Sequence, residues 1–233
     1  MKKLFLAALT VLAGFTGIWA GEPSALRAKP IVNILGDSYS TFEDYIPAGN
    51  ESWYFRKAPD NRNDVTDVRQ TWWWQMISEG GYILGRNESW SGAPIAYTGY
   101  RGEDYRMRSF VTRLPLVSGA DLLIIFGGTN DSWIGTRLGD LESNDMKRMY
   151  DFKPALDVLL TEAVNRNPGT RIVYVINCDL REEITNAITE ACRRHQIEYL
   201  QLRDIDKQSG HPHHHGAEYR YLRDGHALLR GRQ

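Results

Sequence analysis

Short apolar runs recur along this chain, and each is followed by turn-forming residues. Their length and their content of Val, Ile and Leu predict buried strands at residues 31–35, 82–86, 122–126, 171–176 and 198–202. The segments between them favour helices at 70–79, 153–167 and 181–195, two of which end at Gly80-Gly81 and Pro168-Gly169. This alternation predicts one α/β domain with a parallel sheet covered on both faces.

Polar residues follow the first predicted strand directly. The run stops at Gly36-Asp37-Ser38, which brings a serine hydroxyl to the carboxyl end of a strand, where open α/β sheets bind their ligands. Such a serine attacks a carbonyl carbon only if a base lies within hydrogen-bond reach. Gly-Asp-Ser alone is also ordinary capping and turn chemistry, so the assignment depends on the rest of the chain. We assign Asp37 a structural role, as the acceptor of an Asx turn.

Four short blocks occur in order along the chain: Gly36-Asp37-Ser38, Gly92, Gly128-Thr129-Asn130-Asp131 and His211-Pro212. Each alone is common turn chemistry, but two of them directly follow predicted strands. Together they resemble the blocks of the SGNH (GDSL-type) hydrolases, a superfamily of esterases and lipases. The resemblance implies a three-layer α/β/α sandwich with a five-stranded, parallel, flavodoxin-like sheet in the order 2-1-3-4-5.

The resemblance also implies a mechanism that needs no cofactor. Ser38 would be the nucleophile and His211 the general base. The oxyanion hole would consist of the backbone N–H groups of Ser38 and Gly92 and the side-chain amide of Asn130. Glycine suits this position because it lets the backbone approach a substrate closely.

The acid of the triad is where the chain departs from the family. An aspartate usually stands three residues before the histidine, and here that residue is Gln208. Asp204 and Asp206 lie further upstream and would reach His211 only if the loop bulges. Two interpretations follow: Asp206 orients the imidazole, or a Ser-His dyad operates with a backbone carbonyl holding the ring. We take Asp206 as the acid.

The remaining histidines and the C-terminal sequence add no site. Residues 213–215 are three consecutive histidines, but neighbours in an extended chain point in alternate directions, so we predict no metal site there. The family ends in an amphipathic helix, whereas residues 218–226 are arginine-rich, interrupted by glycine and poorly amphipathic.

The charge pattern indicates which partners the protein lacks, and the N-terminal sequence indicates its cellular location. The net charge is −1 with both signs scattered, so nothing favours nucleic acid or an anionic membrane as a partner. Lys2-Lys3, an apolar run and Ala20-Gly21 are typical of a secretory signal peptide. We therefore divide the chain into a signal peptide, 1–20, and an esterase domain, 21–233. We expect a secreted or periplasmic protein without stable membrane insertion once the signal is removed.

Cys178 and Cys192 are the only cysteines. In an oxidising compartment they either form a disulfide or remain two buried thiols, and their geometry decides between the two.

These features predict a secreted serine esterase that removes a short acyl group, such as acetyl, from a carbohydrate. The preference for a sugar rests on aromatic residues in polar loops and on the lack of a long apolar lid. These aromatic residues are Trp53, Tyr54, Tyr97, Tyr100 and Trp133. In the long loop 42–68, Trp53, Tyr54 and Phe55 either stack on a sugar or hold the loop down, and we favour the second role. A non-catalytic carbohydrate-binding protein on the same fold, a lysophospholipase and a thioesterase remain alternatives.

Overall fold

The computed structural model describes residues 28–57, 60, 62–142, 145 and 147–213. The predicted signal peptide and the arginine-rich C-terminal sequence lie outside these residues. No helix in the described part of the chain is long and apolar enough to cross a membrane.

The central sheet has five parallel strands in the order β2-β1-β3-β4-β5, which confirms the predicted flavodoxin-like order. The strands are β1 Ile31–Gly36, β2 Ile83–Ser89, β3 Leu122–Phe126, β4 Arg171–Ile176 and β5 Glu198–Gln201. The second strand extends beyond its apolar stretch through Asn87, Glu88 and Ser89, which are buried although polar. Its true end could therefore not be read from hydrophobicity.

Within the residues that the structure describes, five α-helices lie in the connections between strands. They are α1 Trp72–Gly80, α2 Phe110–Arg113, α3 Thr129–Ile134, α4 Phe152–Arg166 and α5 Glu182–Arg194. The predicted helices correspond to α1, α4 and α5. The sequence did not predict α2 and α3, because four and six residues are too few to show helical periodicity.

The two faces of the sheet bury separate apolar cores. Leu123 and Ile125 of β3 pack on the side of α4 and α5, whereas Ile124 and Phe126 pack on the side of α1 and the long loop. Successive strand residues point to opposite faces, so a strand covered on both sides needs a continuous apolar run. Cys192 belongs to the first core and Cys178 packs against the second, and both are free thiols.

The register of the sheet brings three of the sequence blocks to one place. Gly36 at the end of β1 lies opposite Ser89 of β2 and Phe126 of β3. Ser38 follows Gly36 by two residues, and Gly92 and Asn130 follow Ser89 and Phe126 by three and four. A β-carbon on Gly36 would lie 2.5 Å from the Ser89 hydroxyl oxygen, so glycine is required for this close approach.

A buried arginine ties the same strand ends together. The guanidinium of Arg113 donates to the backbone carbonyls of Glu88 and Gly36, and also to that of Arg108. Burial lowers the pKa of Arg113 to about 10, opposed by the charges of Glu88 and Asp37. Arg113 therefore stays charged at neutral pH, where its charged donors bind the carbonyls more strongly than neutral donors would.

A small hairpin follows the sheet. Strands β6 Lys207–Gln208 and β7 His211–Pro212 pair antiparallel across the two-residue turn Ser209-Gly210. Both turn residues have positive φ, 53° and 75°, as the type I′ turn of a tight hairpin requires. The hairpin carries His211 and fixes which of its neighbours the ring can reach.

Candidate active site

Ser38 begins a short 3₁₀ turn, Ser38–Ser40, immediately after β1. The expected Asx turn is present, since Asp37 Oδ1 accepts the Tyr39 N–H at 3.0 Å. Asp37 is fully buried, and burial raises the pKa of its carboxyl to about 7. The turn that it closes carries Ser38, whose buried hydroxyl faces the hairpin that bears His211.

The structure brings Ser38 and His211 together. His211 Nε2 lies 2.8 Å from Ser38 Oγ, and His211 Nδ1 lies 3.0 Å from the Ser209 carbonyl oxygen. A carbonyl oxygen can only accept, so in the neutral ring Nδ1 carries the hydrogen and Nε2 is free to accept the serine proton. This is the tautomer that a general base for Ser38 needs.

Asp206, the predicted acid, does not meet His211 in the structure. Its Oδ2 lies 3.1 Å from Nε2 of His213 instead. The hairpin explains this, because Lys207 is paired with Pro212, which places Asp206 beside His213 across the two strands. In the described part of the chain, no carboxylate contacts the His211 ring, and the carbonyl-held dyad is the arrangement present.

Aromatic rings surround the imidazole of His211. Trp53 stacks on it with centroids 3.6 Å apart and planes 12° apart, and Tyr39 and Trp133 lie at 5.1 and 5.7 Å. Burial among these rings lowers the pKa of His211 to about 4, and the positive charges of Lys207 and Arg62 act in the same direction. At pH 7 the ring is therefore neutral and able to accept a proton.

Side chains of neighbouring segments hold the turn and the second strand of the His211 hairpin in place. Tyr54 Oη and Asn63 Nδ2 each donate to the Pro212 carbonyl at 2.9 Å, and Tyr39 Oη donates to the Gly210 carbonyl at 2.7 Å. Tyr54 and Asn63 come from the loop 42–68, so this loop forms one wall of the site and holds the base in place.

Two of the predicted oxyanion donors are free to bind a ligand. Neither the Ser38 N–H nor the Gly92 N–H donates to an acceptor among the residues that the structure describes. Gly92 has φ of 77°, in the left-handed region, which adds a conformational reason for glycine to the close approach that the sequence suggested.

The third donor, Asn130, has a fixed amide orientation. Its Nδ2 donates one hydrogen to the Ala93 carbonyl at 3.0 Å, and its Oδ1 accepts the Tyr100 hydroxyl hydrogen at 2.8 Å. These two contacts assign the amide oxygen and nitrogen and leave the second Nδ2 hydrogen for a ligand. Tyr100 was singled out in the sequence only as an aromatic residue, and its bond to Asn130 was not foreseen.

Asp131 joins two of the blocks. Its carboxylate oxygens accept the N–H groups of Ile95 and Ala96 at 2.7 and 3.0 Å, which fixes the segment that follows Gly92. Burial raises the pKa of Asp131 to about 6, opposed by these two hydrogen bonds. The sequence analysis named Asp131 only as a member of its block, although its place beside Asn130 was a usable signal for a structural role.

Comparison with known proteins identifies the family and the fold of the chain. The model of the GDSL-like Lipase/Acylhydrolase family matches residues 30–220. A protein from Bacteroides ovatus described as a GDSL-like lipase is 39% identical, with a TM-score of 0.82 over 87% of this chain and 98% of its own. A second, from Bacteroides uniformis, is 40% identical, with a TM-score of 0.79 over 87% and 95%. No match was found among curated proteins.

A more distant structure shares the fold alone. It is an acetyl xylan esterase from Butyrivibrio proteoclasticus, 14% identical, with a TM-score of 0.55 over 86% of this chain and 62% of its own.

Replacing Asp206 separates the two interpretations of the acid. Because Asp206 contacts His213 and not His211, we expect Asp206→Asn to keep kcat/KM for an aryl acetate within about twofold of wild type. Removing a base that takes the serine proton costs on the order of a hundredfold or more, which is the loss expected for His211→Ala. A comparable loss in Asp206→Asn would show that Asp206 reaches the ring during turnover.

Tyr100→Phe tests the orientation of the Asn130 amide. Losing the hydroxyl frees the amide to rotate, and we expect kcat to fall about tenfold, less than the hundredfold or more that follows deletion of an oxyanion donor, as in Asn130→Ala. Steady-state kinetics of both variants check this order. An unchanged kcat in Tyr100→Phe would mean that the Ala93 carbonyl alone fixes the amide.

Proposed function

Since the chain belongs to the GDSL-like lipase/acylhydrolase family, and is thus an ester hydrolase, we propose that it removes a short acyl group, such as acetyl, from a carbohydrate through Ser38. The observation that carries the proposal is the 2.8 Å contact between Ser38 Oγ and His211 Nε2. A serine hydroxyl is a weak nucleophile unless a base accepts its proton, and this contact supplies the base.

In the first half of the reaction, Ser38 Oγ attacks the ester carbonyl carbon while His211 Nε2 takes the hydroxyl proton. The negative charge that develops on the carbonyl oxygen is stabilised by the N–H groups of Ser38 and Gly92 and by the free amide hydrogen of Asn130. The tetrahedral intermediate then expels the alcohol oxygen, which takes the proton from His211 and leaves an acyl group on Ser38.

The second half repeats these steps with water. His211 Nε2 removes a proton from the water as its oxygen attacks the acyl carbon. The same donors stabilise the second oxyanion, and its collapse returns the proton to Ser38 Oγ and releases the acid. In both halves the imidazolium is held through Nδ1 by the Ser209 carbonyl, a neutral acceptor.

The aromatic residues near the site support a carbohydrate as the alcohol. Trp133 packs edge-on against His211 and keeps 45% of its surface exposed, so its ring is available to a sugar beside the nucleophile. Tyr54 and Tyr100 are engaged in holding Pro212 and Asn130. Fold similarity to an acetyl xylan esterase supports the same class of substrate. The proposal includes export from the cell, which is inferred only from the signal-peptide pattern of the first twenty residues.

Hydrolysis of a short-chain aryl acetate and of an acetylated xylan oligosaccharide tests the function. We expect the mature protein to release acetate from both and Ser38→Ala to release none above background, because the acyl acceptor is gone. Trp133→Leu should raise KM for the oligosaccharide and leave KM for the aryl acetate nearly unchanged. Full activity in Ser38→Ala would rule out the proposed nucleophile, and activity on the aryl ester alone would rule out acetylated xylan as the substrate.

The pH dependence follows from the pKa of His211. The neutral imidazole is the active form, and its pKa is lowered to about 4, so kcat/KM is retained as the pH falls below 6.5 and is lost only as the pH passes through about 4. Burial raises the pKa of Asp37 to about 7 and that of Asp131 to about 6, so both carboxyls gain a proton at a higher pH than the acid limb near pH 4, where kcat/KM is lost. An NMR titration in which the His211 ring itself gains its proton between pH 7 and 6 would contradict the buried, neutral base, because protonation of Asp37 or Asp131 does not add a proton to that ring.

A further inference from the structure

We propose that Trp53 is the positioning residue of the general base, doing for His211 what an aspartate does in a Ser-His-Asp triad. Its indole would hold the imidazole plane so that Nε2 faces Ser38 and Nδ1 faces Ser209. This inference rests on the proposed function, since it assigns the group that orients the proposed base.

The first observation is the stack itself. The two rings are 3.6 Å apart at their centroids and within 12° of parallel, which is van der Waals contact across the whole imidazole. Rotation of the imidazole about its Cβ–Cγ bond would drive its edge into the indole. The stack therefore removes the rotation that would move Nε2 away from Ser38.

The second observation is that no carboxylate among the described residues binds the ring. Its Nδ1–H is bound by a neutral carbonyl, from Ser209, and that residue lies in an exposed two-residue turn. A neutral hydrogen bond is roughly half as strong as one to a carboxylate. The stack supplies the constraint that the missing carboxylate would provide.

The third observation ties Trp53 to both partners of the dyad. The Trp53 backbone N–H donates to Thr41 Oγ1 at 2.9 Å, and the Thr41 hydroxyl donates to the Ser38 carbonyl at 2.9 Å. The next residue, Tyr54, holds Pro212 beside His211. Residues 53–54 therefore fix the position of the base relative to the turn that carries the nucleophile.

The charges around His211 agree with this role. Lys207 and Arg62 are the charged groups whose fields act on the imidazole, and the Arg62 guanidinium carbon lies 4.7 Å from the Trp53 ring centroid. Both oppose the imidazolium that forms during turnover. Among the described rings, the indole is the one stacked face to face on that imidazole, and its electron-rich face offsets part of this repulsion. The burial that it provides is the larger effect and lowers the pKa of His211.

The alternative role for Trp53, a platform for sugar, fits the contacts less well. One face of the indole is already covered by His211, whereas Trp133 touches the same imidazole only by its edge and is exposed. The Trp53 indole N–H is buried and has no acceptor among the described residues. Trp53→Phe thus removes no hydrogen bond and keeps an aromatic face, which makes it a clean conservative variant.

The test compares Trp53→Leu, Trp53→Phe and Trp133→Leu on the aryl acetate and the acetylated oligosaccharide across pH. Misplacing a catalytic group by about 1 Å costs on the order of a hundredfold, so we expect Trp53→Leu to lower kcat about tenfold to a hundredfold with KM nearly constant. Trp53→Phe should recover most of kcat. Trp133→Leu should instead act on KM for the oligosaccharide, and thermal unfolding of each variant checks the fold.

The acid limb gives a readout that a merely structural role would not move. Trp53→Leu admits water to the imidazole, so we expect the limb to shift upward, toward the ordinary histidine range, with a smaller shift in Trp53→Phe. A rise in KM without loss of kcat, or equal losses in the Leu and Phe variants with an unmoved limb, would overturn the proposal.

An NMR titration of the His211 ring in the free protein keeps the test independent of turnover. Ring-current shifts from Trp53 should place the imidazole signals away from their usual positions, and Trp53→Leu should return them and raise the pKa. Unchanged signals would overturn the proposal. A wild type that shows this stack but hydrolyses neither ester would refute the proposed function and leave the orienting contact established.

Discussion

The hydrogen bond between Ser38 and His211 joins two segments 173 residues apart, and the rest of the site is organised to make it. The first segment is the end of β1, held between β2 and β3 and tied to them through the carbonyl-binding guanidinium of Arg113. The second is a two-residue hairpin that depends on contacts with Tyr39, Tyr54 and Asn63. A contact of 2.8 Å between independent segments requires that both be rigid, which explains why so many buried polar bonds surround them.

The oxyanion side of the site follows from the same sheet. The carboxyl ends of parallel strands lie at the same edge of a sheet, so the residues that follow β1, β2 and β3 lie close together. Asp131 then fixes the segment after Gly92, and Asn130 binds the Ala93 carbonyl, which couples two of the three proposed donors to each other. Donors fixed before the substrate arrives are effective because they need no reorganisation when charge develops.

Much of the fold was predictable because its signals are local. Buried parallel strands leave continuous apolar runs, and four motif blocks in order identified the edge where Ser38, Gly92, Asn130 and His211 lie. The helices α2 and α3 were missed because they are too short to show periodicity. The residue that orients His211 could not be predicted from local signals. Asp206 was chosen by its distance from His211 in the sequence, whereas the type I′ turn at Ser209-Gly210 places its carboxylate against His213. The stack of Trp53 on His211 is a long-range contact that no local pattern encodes.

The account depends most on the claim that Ser38 is activated by a histidine held without a carboxylate. The most direct measurement is the mass of the intact, folded protein after reaction with a serine-directed aryl phosphonate, followed by mapping of the labelled peptide. The account predicts one adduct, on Ser38, that is absent in Ser38→Ala and forms far more slowly in His211→Ala. A folded protein that takes up no phosphonate, or that labels equally fast without His211, would contradict it.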